Sequence, residues 1–285
     1  MELVSYTISR KRSDHTPIVI APIGDIQWHG NSDAVALDAL KQHIARCQDL
    51  NAYYVLMGDA TDFASPSNRQ RLRAAALYDN AEDVLDSAAL RLTEEIYEML
   101  KPLTNRTLGV LSGHHYHILK TGITTDMKLC EMLNSRFLGT SGFIRLQFEC
   151  GTTHSNVVIW GHHGVGGGSK AAAPVNKLES IASHFDADIF LMGHQSRLAS
   201  APINRIIPRW DGRGAPDLIH RKILLVGTGS WAKAYVPEAR QGNIPHGGYA
   251  EAGMMQPAVI GAPLIYIRPS YSPTKEFSYD VSVEV

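Results

Sequence analysis

A chain of 285 residues with 44% hydrophobic and 19% charged residues is long and apolar enough to bury a sizeable core. Its 27 Lys and Arg against 28 Asp and Glu leave a formal net charge of −1, which excludes a uniformly basic nucleic-acid coat and an acidic disordered tail. No apolar run approaches the roughly 18 residues that span a bilayer, and the opening MELVSYTISRKRSDH lacks the apolar core of a signal peptide.

Three cysteines, Cys47, Cys130 and Cys150, stand far apart and in no CxxC spacing, so they read as reduced thiols in a cytoplasmic protein without a membrane partner. No repeat, low-complexity tract or linker divides the chain. The expectation is a single domain over residues 1–285, with the motifs in about 18–196 and a strand-rich completion in about 197–285.

Short, continuously apolar runs predict strands at Ile18–Ile23, Tyr53–Met57, Thr107–Ser112, Val157–Trp160, Ile189–Met192 and Ile223–Val226. Runs of this kind fit strands covered on both faces. Between them, Asp33 is placed to cap a helix running to about Leu50. Residues Ala81–Leu100 set Val84, Leu85, Ala88, Leu92, Ile96 and Leu100 on one helical stripe, which Pro102 ends. Shorter helices are expected at Thr124–Leu133 and Leu178–His184. Strands alternating with helices predict a layered α/β fold, and the Gly- and Pro-rich last third predicts an antiparallel portion completing the sheets.

The chemistry lies in the segments directly after the strands. In order these are GDIQWHG with Asp25, Gln27 and His29, GDATD with Asp59 and Asp62, GHHYH with His114, His115 and His117, GHHGVGGG with His162 and His163, and GHQS with His194. They hold seven of the 13 histidines. Loops at the carboxyl ends of strands gather on one edge of an open α/β sheet, where ligand sites form. Carboxylates and imidazoles converging there, without thiolates, suit Mn, Fe, Zn, Co or Ni better than Mg.

In this order the motifs GDIQ, GDATD, GHHY, WGHHG and GHQS, spanning about residues 18–196, resemble those of the calcineurin-like metallophosphoesterase superfamily. The HHGVGGG segment and the stretch from Gly229 to Ile267 look like its phage- and prophage-type branch. The resemblance implies a four-layer α/β/β/α sandwich with mixed sheets and a dinuclear metal site at the strand ends. It places one ion on Asp59, His114, either His162 or His163, and His194, with the Gly after His163 matching the family turn. The other ion would take Asp25, the shared Asp59, and Gln27 and Ser196 where the family has imidazoles, with His29 as a nearby substitute. Gln and Ser are poorer ligands, so two divalent transition-metal ions are expected, manganese foremost, in one tight and one weak site.

The implied activity is hydrolysis of phosphodiesters or phosphomonoesters by a metal-activated hydroxide, with His115 as the catalytic histidine and Asp62 either orienting it or serving as a turn residue. The alternatives are a Mn-dependent DNA nuclease of the same superfamily and a non-catalytic binding or scaffold protein on a decayed frame. The partner is then a phosphoester small molecule or nucleotide, in preference to nucleic acid; a homodimer stays open. For substrate, Asn68, Arg69, Arg71 and Arg73 either hold phosphate oxygens or line a solvated helix face. His117 and Tyr116 either face substrate or pack. Trp28, Trp231 and Tyr235 either stack on a leaving group or belong to the core, and Gly166, Gly167 and Gly168 form a loop next to a ligand.

Overall fold

The computed structural model describes residues 1–11, 13–75, 78–167, 170–210, 216–271 and 277–285. In chain order the elements are β1 (Glu2–Ser9), β2 (Ile18–Ile23), α1 (Leu37–Asp49), β3 (Tyr53–Leu56), α2 (Pro66–Ala74), α3 (Asp79–Leu100), β4 (Thr107–Leu111), α4 (Thr125–Met132), β5 (Phe137–Gly139), β6 (Ser141–Cys150), β7 (Thr153–His162), α5 (Ala173–Ala182), β8 (Ile189–Met192), β9 (Leu198–Arg209) and β10 (Asp217–Thr228). The short β11 (Arg240–Gln241), β12 (Ile244–Pro245) and α6 (Tyr249–Ala252) come next, then β13 (Leu264–Tyr271) and β14 (Phe277–Glu284).

Two six-stranded mixed sheets form, in the orders β1-β6-β7-β8-β10-β9 and β14-β13-β2-β3-β4-β5. Strands β2, β3 and β4 run parallel, as do β7, β8 and β10, so each sheet collects several carboxyl ends at one edge. The last third is antiparallel where β9 meets β10 and β13 meets β14.

The apolar runs divide their side chains between layers with period two. Ile18, Ile20, Val55, Ile189, Leu191, Leu224 and Val226 fill the space between the sheets together with Ile144, Leu146 and Phe148 of β6. The intervening Val19, Ala21, Tyr54 and Leu56 pack outward on α1, α3 and α4. On the opposite face Phe190, Met192, Ile223 and Leu225 pack on Val175, Leu178 and Ala182 of α5. The layers are therefore α/β/β/α, with strands buried on both faces, and at ~25 cal/mol per Å² this double burial is the main favourable term. Among the described residues no helix is long and apolar enough to cross a membrane.

Several sequence expectations need correcting. Asn31, not Asp33, caps the first turn, a 3-10 turn over Ser32–Ala34, and α1 starts at Leu37 with no side-chain cap. The apolar stripe of α3 meets the core only from Ala89 onward. Val84, in the first turns of α3, is 68% exposed. Helix α5 begins earlier than expected, at Ala173, with Pro174 in its first turn where a missing N–H costs nothing. Trp231 is core, 2% exposed, and lies against the ring of His43 at 5.3 Å. Trp28 donates Nε1–H to Glu95 Oε2 at 2.8 Å, which leaves it an anchor between a loop and α3. The three cysteines are free and buried.

Burial pushes the His43 imidazole down to about 4, and its Nε2 has no hydrogen-bond partner. Between pH ~6.5 and ~4 the unfolded chain binds a proton there that the folded chain does not, so the stability is complete above ~6.5 and drains as pH falls. His43→Leu should flatten this part of the curve. In urea unfolding at pH ~7 and ~4.5, the wild type should lose about 1–2 kcal/mol more than the variant, allowing for the exposed edge of the ring. Parallel losses would show that His43 does not titrate in that way.

Candidate metal centre

The loops after β2 and β3 do not diverge once the strands end. Asp25 N–H donates to Gly58 O, Gln27 N–H to Asp59 O, Trp28 N–H to Ala60 O, and Asp62 N–H returns to Trp28 O. This zipper holds Asp25 and Asp59 side by side. Asp25, Gln27, Asp59, His194 and Ser196 all have positive φ, between 50° and 62°. Non-glycine residues rarely adopt that region, and each such residue costs of order 1 kcal/mol or more. Half of the non-glycine residues of this kind among those described thus sit in the three strand-end turns of one site.

Asp59 is 2% exposed. Its Oδ1 accepts from the backbone N–H of His114 and, at 3.0 Å, of His115. Its Oδ2 is left without a hydrogen-bond partner, 3.2 Å from His163 Nε2. His163 is fully buried and its Nδ1–H donates to Met57 O at 2.6 Å, which fixes the ring and turns Nε2 inward. That Nε2 is also without a partner.

The rings of His114 and His194 stand 4.6 and 5.3 Å from His163 and 4.5 Å from each other. Their Nδ1 atoms approach to 3.1 Å. One donor atom from each of Asp59, His114, His163 and His194 lies within 4.8 Å of the others. Three imidazoles and a carboxylate, with buried donors lacking partners, fit a divalent transition-metal ion.

Strand alternation separates the two adjacent histidines at the end of β7. Val157 and Ile159 point between the sheets while Trp160 faces α5, so His162 lies on the side of Trp160 and His163 turns inward. His162 Nδ1 instead accepts from Gly164 N–H at 2.7 Å. Asp25 is fully buried beside the group. Its Oδ2 accepts from His194 N–H at 2.8 Å, and its Oδ1 has no partner. Gln27 and Ser196 occupy the neighbouring turns and bring no imidazole. His29 is exposed, its Nδ1 3.1 Å from Gln27 O, and it stands outside the cluster.

The electrostatics reflect this packing. Burial raises Asp25 to about 7, and the nearby Asp59 charge adds to it while His163 opposes. Asp59 stays below the usual carboxylate range although burial opposes this, because His163, the nearby His115 and the His114 amide stabilise its charge. His163 rises to about 9 against the pull of burial, through its contact with Asp59. His114 is pushed down to about 4 by burial and by the neighbouring His163 and His194. Opposed shifts in so small a volume make the group a functional-site candidate.

Next to the cluster, His115 Nδ1 lies 2.6 Å from Asp62 Oδ1, and this bond raises the imidazole's pKa. Its Nε2 lies 3.9 Å from Asp59 Oδ2. Two of the residues for which substrate contact was one alternative have protein partners. His117 Nε2 is bound to Asp86 Oδ1 of α3 at 2.7 Å and its ring packs on Phe63. Arg69 is bound to backbone carbonyls and to the face of Tyr116. Asn68 and Arg71 are exposed on α2, and Tyr235 donates to Met255 O. The side chain of Arg73, and Gly168, fall outside the described residues.

Sequence reasoning missed Asp126. It is buried in the first turn of α4, its Oδ2 accepts from Gly113 N–H at 2.8 Å, and burial raises it to about 6. In the sequence it looks like any acidic residue after a Thr cap. Asp86, which also accepts from Lys120 N–H, was likewise hidden in the solvent-side pattern of α3.

No family model and no curated protein matches this chain. Among solved structures it is similar to Vps29 of Chaetomium thermophilum, at TM-score 0.38 and 13% identity over 94% of this chain and 95% of that one. The same protein complexed with a cyclic peptide matches at TM-score 0.32 and 12% identity, again over 94% and 95%. A conserved protein of Streptococcus pneumoniae described as a predicted phosphoesterase matches at TM-score 0.31 and 12% identity, over 94% of this chain and 88% of that one. Likenesses this distant carry no functional weight. The molecule itself defines an α/β/β/α sandwich with a His/Asp group suited to metal at the strand ends.

Gly113 passes so close to Asp59 that a Cβ there would collide with the carboxylate and with its backbone nitrogen. Gly113→Ala should therefore displace Asp59, lower stability by about 1–3 kcal/mol, and weaken Mn or Zn binding at least about tenfold. Calorimetric titration would check this, and unchanged affinity would show that Asp59 does not set the metal site.

Proposed function

We propose that the protein is a calcineurin-like metallophosphoesterase, a metal-dependent phosphohydrolase of phosphodiesters or phosphomonoesters. The observation that carries this reading is the meeting of Asp59, His114, His163 and His194 around one point, with the His115–Asp62 pair beside it. The ions we assign to it are two divalent transition metals, manganese foremost. Asp59, His114, His163 and His194 would hold the tighter one; Asp25 and Asp59, with Gln27 and Ser196 as weak donors, would hold the other. Such ions supply positive charge for the phosphoryl oxygens and lower the pKa of a water.

The chain's own groups have distinct tasks. The His114 and His115 amides fix Asp59 Oδ1 and so leave Oδ2 as the donor. Met57 O fixes the tautomer of His163, leaving its Nε2 for the ion. Asp62 accepts the Nδ1–H of His115 and raises the imidazole's pKa, which suits its Nε2 to donating a proton to the leaving oxygen. Burial of Asp25, Asp59 and His163 keeps water off the donors, which strengthens every charge interaction among them.

Gln27 and Ser196, standing where the resemblance has imidazoles, favour a second reading, a non-catalytic binding or scaffold protein on the same frame. Elemental analysis with a phosphoester panel separates the two. Substoichiometric metal and no turnover across Mn, Co, Ni and Zn supports the scaffold. Cleavage of labelled DNA with no hydrolysis of nitrophenyl esters supports a nuclease.

Asp59→Ala should remove metal binding and turnover together. His115→Ala should lower kcat about 10²–10⁴-fold, the range for a general acid, with metal content unchanged. Loss of metal in the second variant would make His115 a ligand instead.

A further inference from the structure

Arg69 lies on α2, outside every motif of the metal centre, yet its Nη1 meets three backbone carbonyls. Its two hydrogens are shared among Ala64 O at 2.7 Å, Tyr116 O at 3.1 Å, and His114 O. The guanidinium carbon sits 3.9 Å above the centre of the Tyr116 ring. Ala64 closes the turn after β3, and His114 and Tyr116 flank His115 in the loop after β4. Between these contacts the N–H groups of Phe63 and Ala64 donate to His115 O at 3.0 and 3.3 Å.

We infer that Arg69 is a positioning residue, which buckles the Asp59–Asp62 turn to the 113–116 loop and thereby sets where the His114 and His115 rings stand. The inference rests on the phosphoesterase reading for its kinetic part only. The carbonyls on both sides of His115 are held by one rigid planar group, and the third carbonyl belongs to the segment that carries Asp62. A shift of that group moves His114 relative to Asp59 and His115 relative to Asp62 at once. Lysine keeps the charge and N–H donors for the carbonyls, but it lacks the rigid planar face that stacks on Tyr116 and so sets where the donor stands. An arginine clamping phosphate would act differently, because its loss would weaken the binding of phosphate and leave the rings in place.

The test uses the full chain with Arg69→Ala, Arg69→Lys and Tyr116→Ala. Four quantities are read: Mn or Zn affinity, the imidazole ¹⁵N–¹H spectrum of the metal-free protein, inorganic phosphate affinity of the metal-loaded protein, and kcat and KM on a nitrophenyl phosphoester. Misplacement of reacting groups by about 1 Å costs on the order of 100-fold, so Arg69→Ala should lower kcat by about that factor with KM within about twofold. Metal affinity should fall about tenfold and the His114 and His115 ring signals should move, with phosphate affinity within about twofold. Arg69→Lys, which loses the stack on Tyr116, should restore these values only in part, and Tyr116→Ala should shift them in the same direction by less than Arg69→Ala does. Should Arg69→Ala not fold, the other two variants decide.

Reduced phosphate affinity with unmoved rings and unchanged metal affinity would overturn the inference and make Arg69 a substrate contact. Wild-type values throughout would overturn it as well. Absence of turnover in the wild type would sink the phosphoesterase reading alone, since the ring spectra and metal affinities still report on Arg69.

Discussion

The carboxylate of Asp59 is the contact through which the site's other parts are related. One oxygen is taken by two consecutive amides of the loop after β4, and the other faces the inward nitrogen of His163 from the opposite sheet. A buried carboxylate without such partners would take up a proton, since desolvation raises its pKa. Here the amides and imidazole keep the charge in place, while Asp25, with a single amide donating to its carboxylate, is the neighbour that rises to about 7. The charge and the two-sheet architecture thus depend on each other. The sheets bring the partners together, and the partners make a buried anion tolerable.

The strained turns fit the same view. Asp25, Gln27, Asp59, His194 and Ser196 hold positive φ in the turns directly after the strands. At such a position the side chain leaves the strand's alternation and turns toward the loops of its neighbours. Glycine would relieve the strain but would carry no ligand, so the strain sits where side-chain chemistry is required. The glycines take the complementary positions. Gly58 and Gly113 let backbone pass within contact distance of His163 and Asp59.

Around this centre runs a second set of contacts made largely to backbone. Met57 O orients His163, Asp126 accepts from Gly113, Asp86 holds His117, and Arg69 gathers the carbonyls of Ala64, His114 and Tyr116. These residues come from α2, α3, α4 and the end of β3, so the helical layer does more than cover the sheet. It fixes the placement of the loop that carries two of the histidines. Metal sites depend on such outer contacts almost as much as on the ligands themselves.

Much of this was legible in the chain itself, for a physical reason. Strands covered on both faces read as continuously apolar runs, and His and Asp recurring after several such runs in turn stand out more than a single turn residue would. That exposed β2, β3, β4 and β8, the helix ending at Leu100, and the histidines and acids of the strand-end turns. Strands β1 and β6 escaped because alternating polar and apolar residues are weak signals without a partner strand. Only the tertiary structure brought His163, and not His162, beside Asp59, because that depends on which side of β7 faces the other sheet. It alone placed His29 at the surface, tied His117 to Asp86, gave Arg69 its carbonyls and revealed Asp126. Contacts between residues tens of positions apart are set by packing, and local sequence carries no trace of them.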